Sequence, residues 1–405
     1  MGELAPVTPR ERVATLDVLR GFAMLGVLLA NLYELYSLRF ALDGPEPPGG
    51  VLDRLASSFI MVVVASKAQT LLTFLFGFGF AAQLLRAEAR GDHVMPIYLR
   101  RLIALLVIGW LHVLLLSWVD VTWGYALTGF FLLLFLRSSN RTRVIAAFAL
   151  TIVPLVIYAI PDAWRILNGI LFDRPRDAYI HEYAAAARSG DRFAIMHHHA
   201  VLAALWTLGG AVFWYLPWLL GRFLLGYVAG AQRWFDREGA DHLPLFRKLF
   251  GYGALVALPP IVLGVLAQTG VVGRQHGIAV SLIVAILHQL GLLGQVAMYV
   301  GIVVILMQRA TWRRLLGILA PVGRMPLTTY LIQSLICTSL FYGWGLAWST
   351  PPPATCIGLA LAIFAVQIAA SHLWLRWFRF GPAEWVWRSV VYWRRQPMRV
   401  ASEHR

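Results

Sequence analysis

Lysine is almost missing from this chain: only Lys67 and Lys248 stand among 35 basic residues. The positive charge is therefore nearly all arginine, a bias that genome composition explains as readily as phosphate recognition. Cysteine is as scarce. Cys337 and Cys356 lie in or beside apolar segments, which excludes a disulfide framework and a CxxC metal motif. Charge of either sign is also low, at 14% of residues where soluble domains carry about a quarter. The sequence contains no Walker loop, no GxGxxG opening after a strand, no GxSxG elbow and no nucleic-acid motif. His181 and Glu182 lack the second histidine of HExxH, and consecutive His197, His198 and His199 point in different directions on a helix, so no metal site is expected.

What is abundant is hydrocarbon. Hydrophobic residues make up 59% of the chain and the mean hydropathy is +0.68. Such a composition specifies an all-α, polytopic integral membrane protein. Hydropathy places about ten spans, near Leu16 to Leu38, Ala68 to Leu85, Leu99 to Trp118, Val121 to Leu136, Val144 to Ile160, Trp206 to Gly230, Leu249 to Ala267, Ile278 to Met307, Pro326 to Trp348 and Thr355 to Trp377. The net charge of +15 would suggest nucleic acid in a soluble chain. Here the arginines cluster in alternate connections, and the positive-inside rule then puts both termini in the cytoplasm. No nucleic-acid partner is expected. Arg10 and Arg12 precede the first apolar run and no small-residue cleavage site follows it, so the first helix is read as retained.

Three parts follow in order: an N-terminal bundle over 1–160, an outward-facing loop with a short helix over 161–205, and a C-terminal bundle over 206–405 ending in an interfacial tail, RFGPAEWVWRSVVYWRRQPMR, that suits the inner leaflet. After the helix-breaking LDGPEPPGG, the stretch Val51 to Lys67 reads as an apolar segment lying in the outer interface or re-entering.

Polar residues inside apolar spans are the functional candidates. On the first span Arg20, Met24 and Asn31 fall within about 20° of one direction and Asp17 about 40° from Asn31. Asp17 and Arg20 either face a wet interior or pair at the interface. On the third, Arg101 and His112 share a face with the histidine roughly 16 Å deeper. His112 is a proton-exchanging group or a plain interhelical hydrogen-bond partner. Asp120 orients a base or caps the helix that follows, which carries Tyr125. His288, Gln295 and Tyr299 line one face of the eighth span, as a pathway or as packing glue. Arg222 is read as snorkelling to the cytoplasmic face. In APVGRMPLTTYLIQSLIC, Thr329, Gln333 and Cys337 line one face, and the helix start beside Arg313, Arg314 and Arg324 is a phosphate site or ordinary positive-inside charge.

RVATLDVLRGFAMLGVLLANL, TFLFGFGFA, RRLIALLVIGWLH with VDVTWGYAL, VGRMPLTTYLIQSL and the terminal GPAEWVWR together resemble the YeiB-like bacterial membrane proteins, the domain of unknown function 418 family. The resemblance covers most of the chain. The front motif is also similar to that of two transmembrane acyltransferase groups, the acyltransferase-3 group and the heparan glucosaminide N-acetyltransferase group, which acylate a glycan from cytoplasmic acyl-CoA. This resemblance implies acyl-CoA as donor. In the first group that helix ends in a histidine proposed as catalytic, where Asn31 stands here; in the second the catalytic histidine follows in the next loop, and none lies between Leu32 and Lys67. Another base must serve.

The expectation is a multi-pass protein of the bacterial inner membrane that moves a short acyl group to an outward-facing hydroxyl or amine. His112 is the base, Asp120 its orienter and Asn31 an oxyanion donor, with His288 in reserve. Arg20, Arg101, Arg313, Arg314 and Arg324 draw the cofactor phosphates, and Asp17, Tyr125, His288, Gln295, Tyr299 and Gln333 line the substrate path. No metal is expected. The partners are membrane lipids, an envelope glycan or lipid acceptor, and a second copy of the chain. The competing expectations are a transporter or flippase of a small anion, metabolite or lipid, proton-coupled through His112 and His288, and a scaffold for an envelope complex.

Overall fold

The computed structural model describes residues 12–41, 49–90, 95–158, 176–268, 278–348 and 350–400. Helices dominate: α1 (Ala14–Asn31), α2 (Val51–Phe59), α3 (Lys67–Arg90), α4 (Met95–Leu115), α5 (Thr122–Leu132), α6 (Asn140–Tyr158), α7 (Arg176–Ser189), α8 (Arg192–Trp206), α9 (Leu216–Ala231), α10 (Leu243–Gln268), α11 (Ile278–Met307), α12 (Ala310–Gly317), α13 (Ala320–Arg324), α14 (Pro326–Phe341), α15 (Pro353–Trp377) and α16 (Pro382–Val391). Among the described residues the only β-feature is one bridge, Phe378 to Arg399. The all-α membrane class read from composition is the class observed.

Seven described segments are long and apolar enough to cross a membrane, and α5 and α14 are shorter apolar helices. The expected fourth and ninth spans are thus present but short. The expected fifth span, Val144 to Ile160, runs past the described residues, of which α6 forms the part up to Tyr158. The second of the seven, Val51–Arg86, joins α2, a π-helical turn (Ile60–Val64) and α3 into one run. Its helix breaks at Ala65 and Ser66, where Ser66 takes φ 64°, a left-handed conformation that costs a side-chain-bearing residue roughly 1–2 kcal/mol. Carbonyls freed by the break are met from α11: Gln295 Nε2 donates to Val62 O at 3.0 Å and Tyr299 Oη to Val63 O at 2.8 Å. The apolar stretch before Lys67 thus joins the helix pack.

Glycines set how closely the helices approach. A Cβ on Gly323 would lie 1.8 Å from the Asp17 carbonyl oxygen, and one on Gly21 2.3 Å from that of Leu319, so α1 and α13 touch backbone to backbone. Gly226 plays the same part between α9 and α3, with Phe74 O 1.9 Å from its absent Cβ. The RGFAM and VGRMP segments therefore owe their glycines to a helix crossing.

The tail does more than coat a surface. In α16, Glu384 turns into the protein and caps α14 from outside: Oε1 accepts the backbone N–H groups of Leu327 at 2.7 Å and Thr328 at 3.1 Å, and Oε2 the Thr328 hydroxyl at 2.5 Å. Thr328 Oγ1 in turn accepts the Ala383 N–H at 3.0 Å. Glu238 does the same for α1, accepting from the N–H groups of Ala14 at 2.9 Å and Thr15 at 2.8 Å. Helix starts in or near lipid have no water to satisfy these donors.

Burial raises the Glu384 pKa above the ordinary 4.5, against the Thr328 and Leu327 hydrogen bonds that lower it. The folded chain holds this proton more tightly than the unfolded one, so the group's contribution is full below 4.5 and fades as pH rises through the folded value. Glu384→Ala is expected to lower stability by about 1–3 kcal/mol, read as a lower thermal midpoint in detergent. Wild type should also lose stability relative to Glu384→Gln as pH climbs from 4.5 towards neutrality. A flat difference would remove Glu384 as the titrating group.

Candidate functional site

Two polar constellations stand at different depths of the bundle. The first is at the end where α1, α4 and α14 begin. Asp17 pairs with Arg20 at 2.8 Å and with Arg12 at 3.8 Å, and Arg324 lies within electrostatic range of both Asp17 and Arg12. Arg101, from the first turns of α4, packs over Phe76 with its Cζ 5.3 Å from the ring centre and over Trp387 of α16 at 4.8 Å. It donates to Gln83 Oε1. Arg20 and Arg388 are within electrostatic range of Arg101, and Arg12 of Arg388. Burial lowers the Arg388 pKa, and the neighbouring Arg12 pushes the same way, against Tyr392 and Glu384. Arg12, Arg20 and Arg324 thus gather around Asp17, and Arg101 and Arg388 adjoin them through Arg20 and Arg12, while Glu384 is spent on α14. Arg12 Nη1 and the Nε atoms of Arg101, Arg324 and Arg388 are buried without a hydrogen-bond acceptor. Unmet guanidinium donors in a cationic basin suit an anion with several oxygens.

The second constellation lies deeper along the same helices. Gly109 lets α4 press against the start of α5, since a Cβ there would lie 2.5 Å from Trp123 N. One turn further on, His112 faces Asp120 across the hairpin, with Nδ1 3.0 Å from Oδ2 and both side chains sealed from solvent. The approach is oblique and Nδ1 lacks a well-aligned hydrogen bond. The two readings of Asp120 hold together: Oδ1 caps α5 by accepting from Thr122 N at 2.7 Å and Trp123 N at 3.0 Å, while Oδ2 accepts from the Thr122 hydroxyl at 3.1 Å and also lies against the histidine. His112 Nε2 meets Ser334 Oγ of α14 at 2.8 Å. The same Oγ accepts from Tyr36 Oη at 2.7 Å, and Tyr330 lies along the imidazole with ring centres 4.8 Å apart. Four elements therefore meet at one hydroxyl and one imidazole.

Sequence spacing found His112 and Asp120 but not their partners. On α14 it favoured the stripe Thr329, Gln333 and Cys337, whereas the stripe facing His112 is displaced by one residue and runs Tyr330, Ser334, Thr338. Gln333 turns towards α15, donating to Gln367 Oε1 at 2.9 Å. Asn31 contributes none of the hydrogen bonds of the cluster; α1 reaches it through Tyr36, in the π-helical turn (Leu32–Tyr36) that follows Asn31. Tyr125 is buried against α3, accepting from Thr73 Oγ1 at 3.0 Å and donating to Gln69 O at 3.3 Å. Arg20, Arg101 and Arg324 come together at the basin. Arg313 and Arg314 are exposed on α12, and Arg313 Nε is engaged by Met307 O at 2.9 Å. Arg12, Arg388, Ser334 and Tyr36 were the residues missed; the four-residue step from Tyr330 to Ser334 was the one signal available for the serine.

Three further titratable groups lie outside both constellations. Arg222 does not snorkel. It is 1% exposed, lies over Trp218 with Cζ 3.9 Å from the ring centre, and donates to Thr151 Oγ1, Trp218 O and Gln289 Oε1 at 2.8 to 3.0 Å. The α6–α9–α11 interface encloses it before its chain can reach an end of the helix. Lys67 sits at the break of the second span, donating to Met61 O at 2.9 Å, with Glu34 and His288 within electrostatic range. Beyond the deep cluster, α7 and α8 pack over the end of α4. His199 Nδ1 there meets Leu114 O at 3.1 Å and burial lowers its pKa to about 4, so it is neutral with the proton on Nδ1. Among the described residues no group of His, Cys, Asp and Glu could hold a metal ion.

The model for the family "Protein of unknown function (DUF418)" matches residues 229–394, which hold α14 and α16. Over 420 aligned residues the chain is 32% identical to "Uncharacterized protein YxaH" of Bacillus subtilis (strain 168), covering 98% of each chain. It is 26% identical over 393 residues to "Uncharacterized protein YeiB" of Escherichia coli (strain K12), covering 94% of this chain and 96% of that one. A 39.9 kDa protein from the amylase 3′ region of Bacillus acidopullulyticus is likewise 26% identical, over 98% of this chain and 99% of the other. No solved structure matches. Similarity that runs the full length of these relatives, and not only through the matched C-terminal part, places the chain in the DUF418 family of YeiB-like proteins.

Proposed function

We propose that this chain is a transmembrane acyltransferase of the bacterial inner membrane, taking a short acyl group from cytoplasmic acyl-CoA to an outward-facing hydroxyl or amine of a glycan, lipid or small molecule. The observation that carries the reading is the stacking of the two constellations on α4. With both termini cytoplasmic, the arginine basin opens where coenzyme A is available, and His112 lies eleven residues further along the helix, roughly 16 Å deeper at 1.5 Å per residue. The arm from a coenzyme A diphosphate to its thioester is about as long as four extended residues, roughly 15 Å. Phosphates in the basin would thus bring the thioester to the depth of His112. Arg12, Arg20, Arg101, Arg324 and Arg388 are the groups to hold them. His112, oriented by Asp120, takes the proton of the attacking group at Nε2.

A second reading has its own observation. The break at Ala65 and Ser66, with buried Lys67 beside Glu34 and His288, is the kind of interrupted helix on which transporters build ion sites. It supports a proton-coupled path for a small anion.

Calorimetry of the purified chain should show acetyl-CoA binding that Arg101→Gln or Arg388→Gln weakens about tenfold, the loss of one charge-assisted hydrogen bond. Transfer of labelled acetyl groups in membranes should fall at least ~100-fold in His112→Asn at unchanged expression. Undiminished transfer would dismiss His112 as the base. Absence of acetyl-CoA binding, together with a pH-driven acetate flux in proteoliposomes that Lys67→Met abolishes, would replace acyl transfer with transport.

A further inference from the structure

Ser334 has more partners than a buried helical serine needs. Such a hydroxyl is ordinarily satisfied by the carbonyl four residues back, and here Tyr330 O is in place at 3.1 Å. Yet Tyr36 Oη also donates to Ser334 Oγ, and His112 Nε2 stands at 2.8 Å on another side. The hydroxyl has one proton and two acceptors to choose between. Asp120 Oδ2 stands 3.0 Å from Nδ1, obliquely, and the tautomer with its proton on Nδ1 towards that carboxylate is the one that leaves Nε2 as a lone-pair acceptor for Ser334. Asp120 is itself immobilised by two backbone N–H groups of α5. Hydroxyl, base and orienting carboxylate therefore come from α14, α4 and the turn before α5, with the hydroxyl 222 positions from the base along the chain.

We propose that Ser334 is the nucleophile of the reaction and carries the acyl group as an ester between donor and acceptor; this rests on the acyl-transfer reading above. In the first half, Ser334 Oγ attacks the thioester carbonyl carbon, the O–C bond forms and the C–S bond breaks. The serine proton passes to His112 Nε2 and from there to the departing sulfur, so coenzyme A leaves as the free thiol. In the second half, the acceptor oxygen or nitrogen attacks the serine ester, its proton goes to His112, and the ester C–O bond breaks with return of that proton to Ser334 Oγ. Nothing is oxidised or reduced. Tyr36 Oη, already donating to Oγ, stabilises negative charge as the serine gives up its proton. The relay of a base between a hydroxyl and a fixed carboxylate is the logic of serine acyl transfer on unrelated folds.

A covalent intermediate also resolves a problem of topology. Donor and acceptor come from opposite ends of the bundle, and a direct transfer needs both at His112 at once. With the acyl group parked on Ser334, each half-reaction needs one visitor. Ser334, His112 and Asp120 are all buried, so each visit requires the helices around them to part. Cys337, three residues further on α14, is also buried.

The test is intact-protein and peptide mass spectrometry of the purified full chain after incubation with acetyl-CoA and no acceptor, alongside a parallel reaction with a short alkyl fluorophosphonate. Acetyl ester and phosphonate adduct are both expected on Ser334. Both should vanish in Ser334→Ala and form at least ~100-fold more slowly in His112→Asn, while Ser339→Ala behaves as wild type. Ser334→Cys, which preserves the packing, should trap the acyl group as a thioester cleaved by neutral hydroxylamine. If Ser334→Ala transfers acetyl groups as fast as wild type, the nucleophile is wrong and acyl transfer survives it. If the fluorophosphonate labels Ser334 in a His112-dependent way but acetyl-CoA is neither bound nor cleaved, the nucleophile stands and the donor falls. Absence of both adducts in folded wild-type protein overturns the proposal.

Discussion

A helix that begins in or beside hydrocarbon exposes N–H groups that no water can satisfy, and this chain meets that demand with carboxylates. Glu238 closes α1 and Glu384 closes α14, both from distant segments, while Asp120 closes α5 and Asp191 closes α8 locally. Asp53, from α2, reaches Ala354 N at the start of α15 at 3.1 Å. A chain so poor in acids devotes several of them to helix ends. Each remote cap also ties two distant segments together, so the pairing of elements is written partly in where a glutamate or aspartate is needed.

Asp120 shows how such a structural duty also positions a second group. One oxygen is consumed by the backbone of α5, which with the Thr122 hydroxyl on the other oxygen fixes the carboxylate against rotation, its Oδ2 lying against the histidine one hairpin away. No separate scaffold is required to orient His112. The close approach at Gly109 completes the arrangement, because a larger residue would push α4 off Trp123 and open the gap that Asp120 spans. Folding and site assembly draw here on the same contacts.

The arginine basin follows a related logic at lower depth. Positive charge near helix starts is expected at the cytoplasmic end of any such bundle, but ordinary interface arginines stay in water. In the basin Arg101 and Arg388 are held by aromatic faces and Arg12 and Arg20 by Asp17, with guanidinium N–H groups left unmet. The five like charges of the basin repel one another. The tail supplies Arg388 and Trp387 to this basin in addition to the cap on α14, so GPAEWVWR, at the far end of the chain, comes close to the front segment.

Composition and periodicity alone determined the membrane class, the helical architecture, the placement of most spans and the nearness of His112 to Asp120. These are local properties: hydrocarbon content is additive along the chain, and eight residues around a tight hairpin have few places to go. Tertiary structure alone decided which helix face meets which. A rotation of 100° about α14 separates Gln333, which turns to α15, from Ser334, which meets His112. Arg222 reads the same as a snorkelling arginine until α6 and α11 are seen to enclose it. Arg313 and Arg324 look equivalent along the sequence, yet the crossing of α1 with α13 at Gly323 carries only Arg324 into the basin. Spacing reports the faces of one helix; the choice among them is made by backbone contacts between segments hundreds of residues apart.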